Sequence, residues 1–272
     1  MTSVESHITG CVGAGNMGGA IVAGLSEKIG ASAVAFHDVD EAKAKLLKEK
    51  TGARFCATAA ELCEISDSVI LAVKPDVVGR LVKELAPKLK GKIILSIAAG
   101  VSISSIEEAA GAGSHVVRVM PNTPALVGEG MTVLAPGNDV SVEMLDRAEK
   151  IFAAVGKTMI LPEKLMDAVT AVSGCGPAYA FTVIQAMADG AVKLGVPRDR
   201  AVVLAAQTLL GAAKMVLETG AEPMALRGMV TSPGGSTIEA VHCLERAGFS
   251  GILMDAVEAA AKKSEILGGR KK

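Results

Sequence analysis

The sequence predicts a two-domain protein in which a doubly wound parallel α/β domain precedes an all-helical domain. Apolar strand-like runs alternate with helical patterns over residues 1–161, which is typical of a parallel sheet covered by helices. A glycine-rich segment, Gly13–Gly18, lies between the first strand-like run and the first helical pattern. After Leu161 the strand-like runs disappear and long Ala-, Leu- and Met-rich helical patterns follow. We therefore place the domains at 1–161 and 162–272.

Short apolar runs bounded by turn residues predict the strands. The run from Ser68 to Val73 is almost entirely apolar, as in a central strand buried on both faces, and Pro75 ends it. The predicted strands are Ile8–Val12, Val34–His37, Ser68–Val73, Lys92–Ile97, Val116–Val119, Met131–Leu134 and Thr158–Leu161. Because strand-like and helical patterns alternate, we expect the sheet to be parallel.

Helical patterns occupy both predicted domains. In the first domain they follow the glycine-rich segment through Ile21, Val22 and Leu25 and recur at Glu41–Lys50, Asp76–Leu89, Ser102–Ala110 and Val142–Val155. In the second domain they cover Ala178–Leu194, Arg198–Glu218, Ile238–Arg246 and Ile252–Ile266. We expect the tail Gly268–Lys272 to be frayed.

The Arg198–Glu218 pattern is apolar on nearly every face, which is typical of a helix buried all round. The predicted second domain is too small to bury such a helix alone, so we expect a partner subunit to cover it. The most apolar stretch, Val202–Leu217, is interrupted by Gln207 and Lys214. It is shorter than the about 20 residues that a membrane span requires, so no membrane association is expected.

Composition excludes several classes of function. Half of the 272 residues are hydrophobic, and 28 Lys and Arg against 29 Asp and Glu give a net charge of -1, which argues against a nucleic-acid partner. The five cysteines form no C-x-x-C pair and the four histidines are scattered, so neither a disulfide framework nor a metal site is expected. The polar Met1–His7 segment lacks a signal-peptide pattern. These features predict a cytoplasmic protein.

The segment Gly13-Ala14-Gly15-Asn16-Met17-Gly18 matches the G-x-G-x-x-G fingerprint of a Rossmann-type dinucleotide site. In that pattern the first glycine permits a tight turn, the second lets the backbone approach a pyrophosphate, and the third allows close helix–strand packing. The segment follows a strand and opens a helix, and Asp38 ends the next strand. This context predicts a dinucleotide cofactor.

Asp38 indicates which dinucleotide is bound. A carboxylate at this position accepts hydrogen bonds from the ribose 2′-hydroxyl and repels a 2′-phosphate. The spacing therefore favours NADH over NADPH. The alternative is that Asp38 only begins the turn before the next helix.

A second glycine-rich segment, Thr231–Glu239, precedes a helical pattern in the second domain. Ser236 and Glu239 have capping-box spacing, and the glycines allow consecutive N–H groups to form an anion nest at a helix N-terminus. A small carboxylate would bind there, and the Thr237 hydroxyl could donate or accept a hydrogen bond. The alternative is an ordinary helix cap.

No general base stands out in the second domain, where Lys164, Lys193 and Lys214 lie in helical patterns. An enzyme that oxidises an alcohol usually needs such a base. A reductase acting on a C=N bond does not, because hydride adds to carbon and solvent can protonate the nitrogen. The missing base favours a reductase that works by aligning cofactor and substrate.

These segments make the chain similar to the pyrroline-5-carboxylate reductases, the family that performs the last step of proline biosynthesis. The resemblance extends from Ile8 to about Leu267 and is most specific in Leu226–Glu245. The other segments that carry it are Gly13–Gly18, Ala72–Pro75, Ser96–Gly100, Arg118–Pro124 and Ser173–Tyr179.

The resemblance implies reduction of 1-pyrroline-5-carboxylate to L-proline by NAD(P)H. Besides Asp38, the cofactor-binding residues expected are Val12, Gly13, Ala14, Gly15, Asn16, Met17, Ala72, Val73, Lys74, Pro75, Ile97, Ala98 and Ala99. The substrate-binding residues expected are Glu163, Ser232, Gly234, Gly235, Ser236 and Thr237.

In relatives, backbone N–H groups of the matching loop hold the substrate carboxylate, and the threonine that matches Thr237 hydrogen-bonds the ring nitrogen. Glu163 is expected at the edge of the pocket. The resemblance also implies a helical domain interleaved with that of a second subunit, and some members assemble dimers into decamers.

The chain departs from the family pattern at a few positions. Cys175 replaces a serine found in many relatives and is expected to be either a small buried side chain or a reactive thiol. Asp38, Ala59 and Ala60 stand where NADPH-preferring relatives offer groups to the 2′-phosphate. These departures argue against a strict preference for NADPH.

Two rival functions are a β-hydroxy-acid dehydrogenase and a non-catalytic dinucleotide sensor. The dehydrogenases carry a catalytic lysine soon after a glycine-rich loop, whereas here the loop at Gly174–Gly176 is followed by Pro177 and the next lysine is Lys193. A sensor needs no second site, so the predicted anion nest argues against it.

Overall fold

The computed structural model describes residues 7–269. The first six residues of the predicted polar N-terminus, and Arg270–Lys272 of the tail predicted to fray, lie outside this range. The chain forms two compact units: one comprises the residues up to Cys175 together with those from Ala260 onward, and the other is Gly176–Ala259. The predicted division at Leu161–Pro162 falls inside the first unit.

The first unit is built on one eight-stranded sheet. Its strands are β1 (Thr9–Val12), β2 (Val34–His37), β3 (Arg54–Phe55), β4 (Ser68–Leu71), β5 (Ile93–Ser96), β6 (His115–Met120), β7 (Gly130–Pro136) and β8 (Gly156–Ile160). Their spatial order is β3-β2-β1-β4-β5-β6-β7-β8. The order reverses between β1 and β4, and in open α/β sheets ligands bind in the crevice at such a reversal.

The sheet departs from the fully parallel arrangement that the sequence predicts. β1 to β6 run parallel, but β7 pairs antiparallel with β6, and β8 runs parallel to β7. The link between β6 and β7 contains only a short 3₁₀ turn at Thr123–Val127, which is too short for the crossover that parallel pairing requires. The two-residue strand β3 was also not predicted, because it lacks an apolar run.

Helices cover both faces of the sheet and enclose two hydrophobic clusters. The helices of this unit are α1 (Asn16–Ile29), α2 (Glu41–Thr51), α3 (Ala59–Ile65), α4 (Pro75–Leu89), α5 (Ile103–Ala110), α6 (Val142–Phe152) and α7 (Met166–Val169). Side-chain oxygens of Asp40, Thr58, Ser102 and Ser141 cap four of them. The sequence did not predict helix α3, because so short a helix shows no clear hydrophobic period.

The second unit is entirely helical. Its helices are α8 (Gly176–Lys193), α9 (Arg198–Thr219), α10 (Pro223–Met229), α11 (Ser236–Arg246) and the first part of α12 (Phe249–Leu267), whose residues from Ala260 belong to the first unit. Its buried cluster consists of three alanines, Ala188, Ala201 and Ala205. Many large apolar side chains are therefore exposed, including Phe181, Leu204, Leu210, Leu217 and Ile252.

Helix α9 is longer than the apolar stretch that the sequence marks out. Its 22 residues make it the one helix within residues 7–269 that is long and apolar enough, by length and composition alone, to cross a membrane. The expectation that this segment is too short is wrong on length, because the flanking charged residues are helical too. Only 11% of its most apolar window is buried inside this chain.

Gly156→Ala is expected to destabilise the first unit by about 2 kcal/mol or more. Gly156 has φ +148°, and a Cβ placed on it would lie 1.9 Å from the Gly130 carbonyl oxygen. The matched control is Gly79→Ala in α4, where an added Cβ meets nothing within 4 Å and helix propensity should raise stability by up to about 1 kcal/mol. Denaturant unfolding of both variants measures the effect, and equal stabilities would contradict it.

Candidate functional site

The glycine-rich loop lies at the carboxyl end of β1, in the crevice where the strand order reverses. Gly13 adopts φ +101° and donates its N–H to the His37 carbonyl oxygen at 2.8 Å, which joins the loop to the end of β2. Helix α1 then begins at Asn16, with no side-chain cap and no acidic residue in its first turn. Its first-turn N–H groups, at the positive end of the helix dipole, are thus available to an anion.

The three glycines of the fingerprint meet different surroundings. A Cβ on Gly13 would lie 2.5 Å from the Ala72 carbonyl oxygen, and one on Gly18 would lie 2.1 Å from the Gly13 carbonyl oxygen. A Cβ on Gly15 would meet nothing within 4 Å. Gly13 and Gly18 are therefore required by packing, whereas Gly15 keeps open space beside the helix N-terminus. This arrangement fits a pyrophosphate brought close to the backbone.

Asp38 lies directly beside this loop. Its Oδ2 accepts a hydrogen bond from the Ala14 N–H at 2.5 Å, and its Oδ1 accepts one from the Asp40 N–H at 2.8 Å. The carboxylate therefore holds the glycine-rich loop in addition to beginning the turn before α2. Burial, and secondarily the Asp38 charge, raises the pKa of the neighbouring Cys11 thiol to about 12. Cys11 stays a protonated thiol and is no nucleophile at neutral pH.

Two of the basic residues that follow Asp38 in the chain are engaged elsewhere. Lys43 Nζ pairs with Asp40 Oδ2 at 3.1 Å, and Arg54 Nη2 pairs with Glu61 Oε1 at 3.3 Å. Ala59 and Ala60 form the first turn of α3 behind the cap Thr58 and carry no polar side-chain group. These observations bear on the choice between a ribose 2′-hydroxyl and a 2′-phosphate.

The loops after β4 and β5 supply the rest of this edge of the sheet. Ala72 packs its methyl group against Gly18 and donates its N–H to the Val12 carbonyl oxygen at 2.8 Å. Lys74 precedes α4, which Pro75 opens. After β5, Ala98 is buried and Ala99 is exposed. Ala72, Ala98 and Ala99 thus place only methyl side chains at this edge of the sheet.

Glu163 is held from two sides in the first unit. Its Oε1 accepts a hydrogen bond from the Ile103 N–H at 2.9 Å and pairs with Arg118 Nη1 at 3.2 Å. The Arg118 side chain is only 4% exposed, so this pair compensates a buried charge on β6. Sequence analysis missed this contact, although an arginine inside the apolar run of β6 was the available signal.

The loop Ser232–Thr237 precedes α11 in the second unit and differs from the predicted capping box. Gly235, not Ser236, is the N-cap, and no side chain caps the helix. The cause is a tight turn: Gly234 has φ +68°, and the Gly235 N–H donates to the Ser232 carbonyl oxygen at 3.0 Å. Ser236 and Thr237 are thereby the first helical residues. Their N–H groups have no intrahelical acceptor, which preserves the predicted anion-binding end.

The structure thus gathers the predicted cofactor residues at one edge of the sheet. Val12 ends β1, and the others follow the carboxyl ends of β1, β2, β4 and β5: Gly13–Met17, Asp38, Ala72–Pro75 and Ile97–Ala99. The predicted substrate loop lies in the helical unit, and Glu163 lies in the first. Cys175 is partly buried and belongs to the first unit.

The fold and the glycine-rich loop define a Rossmann-type oxidoreductase with a helical C-terminal unit. Residues 9–100 match the model "NADP oxidoreductase coenzyme F420-dependent", and residues 163–267 match "Pyrroline-5-carboxylate reductase dimerisation". The chain belongs to the pyrroline-5-carboxylate reductase family. The family resemblance and the enzyme class predicted from the sequence are confirmed.

Relatives match over nearly the whole chain. The pyrroline-5-carboxylate reductase of Methanosarcina acetivorans is 46% identical, covering 97% of this chain and 99% of that protein. The solved reductase of Coxiella burnetii superposes with a TM-score of 0.92 at 34% identity, over 97% of this chain and 99% of that one. The Plasmodium falciparum reductase, solved with NADP bound, superposes with a TM-score of 0.87 at 33% identity, over 98% of this chain and 100% of that one.

Gly15→Ala is expected to leave the melting temperature unchanged but to weaken dinucleotide binding by about tenfold. The added methyl group projects into open space, where the pyrophosphate would approach. Gly18→Ala should instead lower the melting temperature, because its Cβ overlaps the Gly13 carbonyl oxygen. Thermal melts and calorimetric titration with NADH and NADPH separate the two effects. A Gly15→Ala variant that binds dinucleotide normally would disprove the assignment.

Proposed function

We propose that this protein reduces 1-pyrroline-5-carboxylate to L-proline with hydride from NADH or NADPH, the last step of proline biosynthesis. The observation that carries the proposal is the glycine-rich loop Gly13–Gly18 before an uncapped α1, on a chain that is related to pyrroline-5-carboxylate reductases along almost its full length. The bound dinucleotide supplies hydride to the imine carbon.

In this proposal residues 162–272 form the substrate-binding and dimerisation domain. The N–H groups at the start of α11, with Ser232, Gly234, Gly235 and Ser236, bind the substrate carboxylate. The absence of a side-chain cap on α11 supports this assignment, because no side chain already accepts from the first N–H groups of the helix. Thr237 donates or accepts the hydrogen bond that orients the ring nitrogen.

Glu163 would contribute at the edge of the substrate pocket. Its Oε1 already accepts from the Ile103 N–H and pairs with Arg118, so its role there is to fix the start of α5 as well as to border the pocket. No general base is required, since hydride addition to a C=N bond leaves only a proton to be gained by nitrogen. Catalysis then depends on alignment.

The cofactor preference is proposed to lean towards NADH. Asp38 presents a carboxylate beside the glycine-rich loop, where it would accept from a ribose 2′-hydroxyl and repel a 2′-phosphate. The pairing of Lys43 with Asp40, and of Arg54 with Glu61, supports the same preference, because neither cation is free to neutralise a phosphate.

The proposed assembly is a homodimer, in which a second subunit covers the exposed apolar faces of α8, α9 and α12. The match to a dimerisation model over residues 163–267 supports oligomerisation. Higher assembly into a decamer remains a proposal drawn from the family, as does a cytoplasmic location without membrane or nucleic-acid partners.

The first experiment follows absorbance at 340 nm when purified protein meets 1-pyrroline-5-carboxylate, with NADH and NADPH in parallel. Turnover with proline as product supports the reductase. A folded protein that binds dinucleotide but shows no turnover with either cofactor would overturn the proposal in favour of a dinucleotide sensor.

Thr237→Ala is expected to lower kcat/KM for 1-pyrroline-5-carboxylate by about 10- to 100-fold while dinucleotide affinity stays nearly constant. The hydroxyl is assigned to substrate alone. Thr237→Ser keeps the hydroxyl and is the matched control, expected to retain most of the activity. Equal loss of dinucleotide binding in Thr237→Ala would show that the residue has a structural role instead.

Asp38→Ser is expected to raise the ratio of kcat/KM for NADPH to that for NADH by about tenfold or more. The substitution also removes an acceptor for Ala14 N–H or Asp40 N–H, which should affect both cofactors alike. The ratio, measured by initial rates, therefore isolates the contact with the ribose. An unchanged ratio would mean that the carboxylate serves only the loop.

A further inference from the structure

A serine at the carboxyl edge of the sheet has a buried hydroxyl whose hydrogen-bonding capacity is unused. Ser173 Oγ is shielded from solvent and has no hydrogen-bond partner among the residues that the structure describes. Buried hydroxyls are nearly always paired, because an unpaired one loses its bonds to water without replacement. Ser173 belongs to the segment Ser173–Pro177, which none of the roles assigned above explains.

The backbone around Ser173 is unusual. Thr170–Gly174 is a π-helical turn, closed by a hydrogen bond from the Cys175 N–H to the Thr170 carbonyl oxygen at 2.8 Å. Single π turns of this kind are frequent at functional sites. Here the turn follows α7 and ends where the helical unit begins.

Asn122 holds this turn against the end of β6. Its Nδ2 donates to the Ser173 carbonyl oxygen at 3.1 Å, and its Oδ1 accepts from the Met131 N–H at 2.8 Å. The methyl group of Met120 lies on Gly174, where a Cβ would come within 2.7 Å of it. Asn122 is 9% exposed, so the nitrogen and the oxygen of its side-chain amide both bind groups inside the protein. Ser173 is thereby seated beside the carboxyl end of β6.

The strand order places this position at one end of a bound dinucleotide. Asp38 marks the adenosine ribose at the end of β2, and the glycine-rich loop marks the pyrophosphate at β1. The nicotinamide must then extend past β4 and β5 towards β6, in the order that the sheet gives. β2 and β6 are four interstrand steps apart, or about 19 Å at the usual spacing of about 4.8 Å.

We propose that Ser173 is a further cofactor-binding residue, whose hydroxyl hydrogen-bonds the carboxamide of the nicotinamide, and that Asn122 is its positioning residue. A carboxamide carries an acceptor oxygen and a donor N–H₂, so it matches a hydroxyl that can donate or accept. The bond restrains rotation of the nicotinamide ring. This inference rests on the proposed use of NADH or NADPH but not on the identity of the imine.

Binding measurements on Ser173→Ala test the contact without turnover. NADH and ADP-ribose share the adenosine and the pyrophosphate, but only NADH carries the nicotinamide. The dissociation constant for NADH is expected to rise about fivefold, the effect of one lost hydrogen bond, while that for ADP-ribose stays within about twofold of wild type. Fluorescence titration measures the first constant and calorimetry measures the second.

Ser68→Ala is the matched control. Ser68 Oγ is also buried without a partner among the described residues, but it lies at the amino end of β4, on the opposite edge of the sheet. Both alanine variants should melt at or above the wild-type temperature, and Ser68→Ala should bind both ligands as wild type does. Normal NADH binding by Ser173→Ala, or equal loss of both ligands, would overturn the proposal.

The positioning role of Asn122 is tested by Asn122→Asp, which keeps an acceptor for the Met131 N–H but loses the donor to the Ser173 carbonyl oxygen. This variant should bind NADH more weakly than wild type and should bind ADP-ribose as wild type does. If Asn122 acts through Ser173, the double variant with Ser173→Ala binds NADH no more weakly than the weaker single variant. Additive losses would refute the positioning role. Asn122→Ala replaces the aspartate variant where that variant fails to fold.

Discussion

The close approach of the glycine-rich loop to the end of β4 is the constraint on which the rest of the site depends. Gly13 leaves no room for a side chain against the Ala72 carbonyl, and Gly18 leaves none against the Gly13 carbonyl. Because these contacts are between backbone atoms, no neighbouring side chain can move to relieve them. They fix where α1 begins, and therefore where its uncapped N–H groups point. An anion site is the direct consequence of that packing.

Asp38, which directly follows β2, also fixes the position of the glycine-rich loop. The carboxylate accepts hydrogen bonds from the Ala14 and Asp40 N–H groups, so under the proposed cofactor preference it would couple the shape of the loop to the choice of cofactor. Two bonds to backbone donors keep the carboxylate in place before any ligand arrives. A preorganised acceptor costs less to use than a mobile one. The cost is that substitutions here change loop geometry and selectivity together, which is why relative rates are more informative than absolute ones.

The sequence could predict those parts that depend on local patterns. The strands around Gly10 and Ile70, the helix after Gly18 and the long helix α9 all follow from hydrophobic runs and glycine punctuation, and their predicted bounds lie within a few residues of the observed ones. The reversal of β7 could not be predicted in this way, because strand direction depends on how the chain returns, and an apolar run reads the same in either direction. The two-residue β3 gives no periodic signal at all.

The candidate site shows the same division. Gly13–Gly18 and Asp38 belong to one strand–helix–strand fingerprint with a known spacing, so their grouping was predictable. The contacts of Arg118 with Glu163 and of Asn122 with Ser173 join residues 45 and 51 positions apart, and no local pattern specifies them. The capping box at Ser236 failed for a related reason. Its spacing is correct, but the turn at Gly234 moves the helix start by one residue and takes Ser236 into the helix.

The helical unit cannot owe its stability to its own core. Its buried cluster consists of alanines, which bury little apolar area, while leucine, methionine and phenylalanine side chains of α8, α9 and α12 stay exposed. Contiguous exposed apolar surface on a soluble domain marks an interface. A membrane would satisfy the length of α9, but Arg198, Asp199 and Arg200 open that helix and Lys214 pairs with Glu218 near its end. In the proposed homodimer a second copy of the chain would satisfy both the apolar faces and these charges, because an interface between subunits has a polar rim. Folding of this unit and association would then be one process, and its stability should depend on protein concentration.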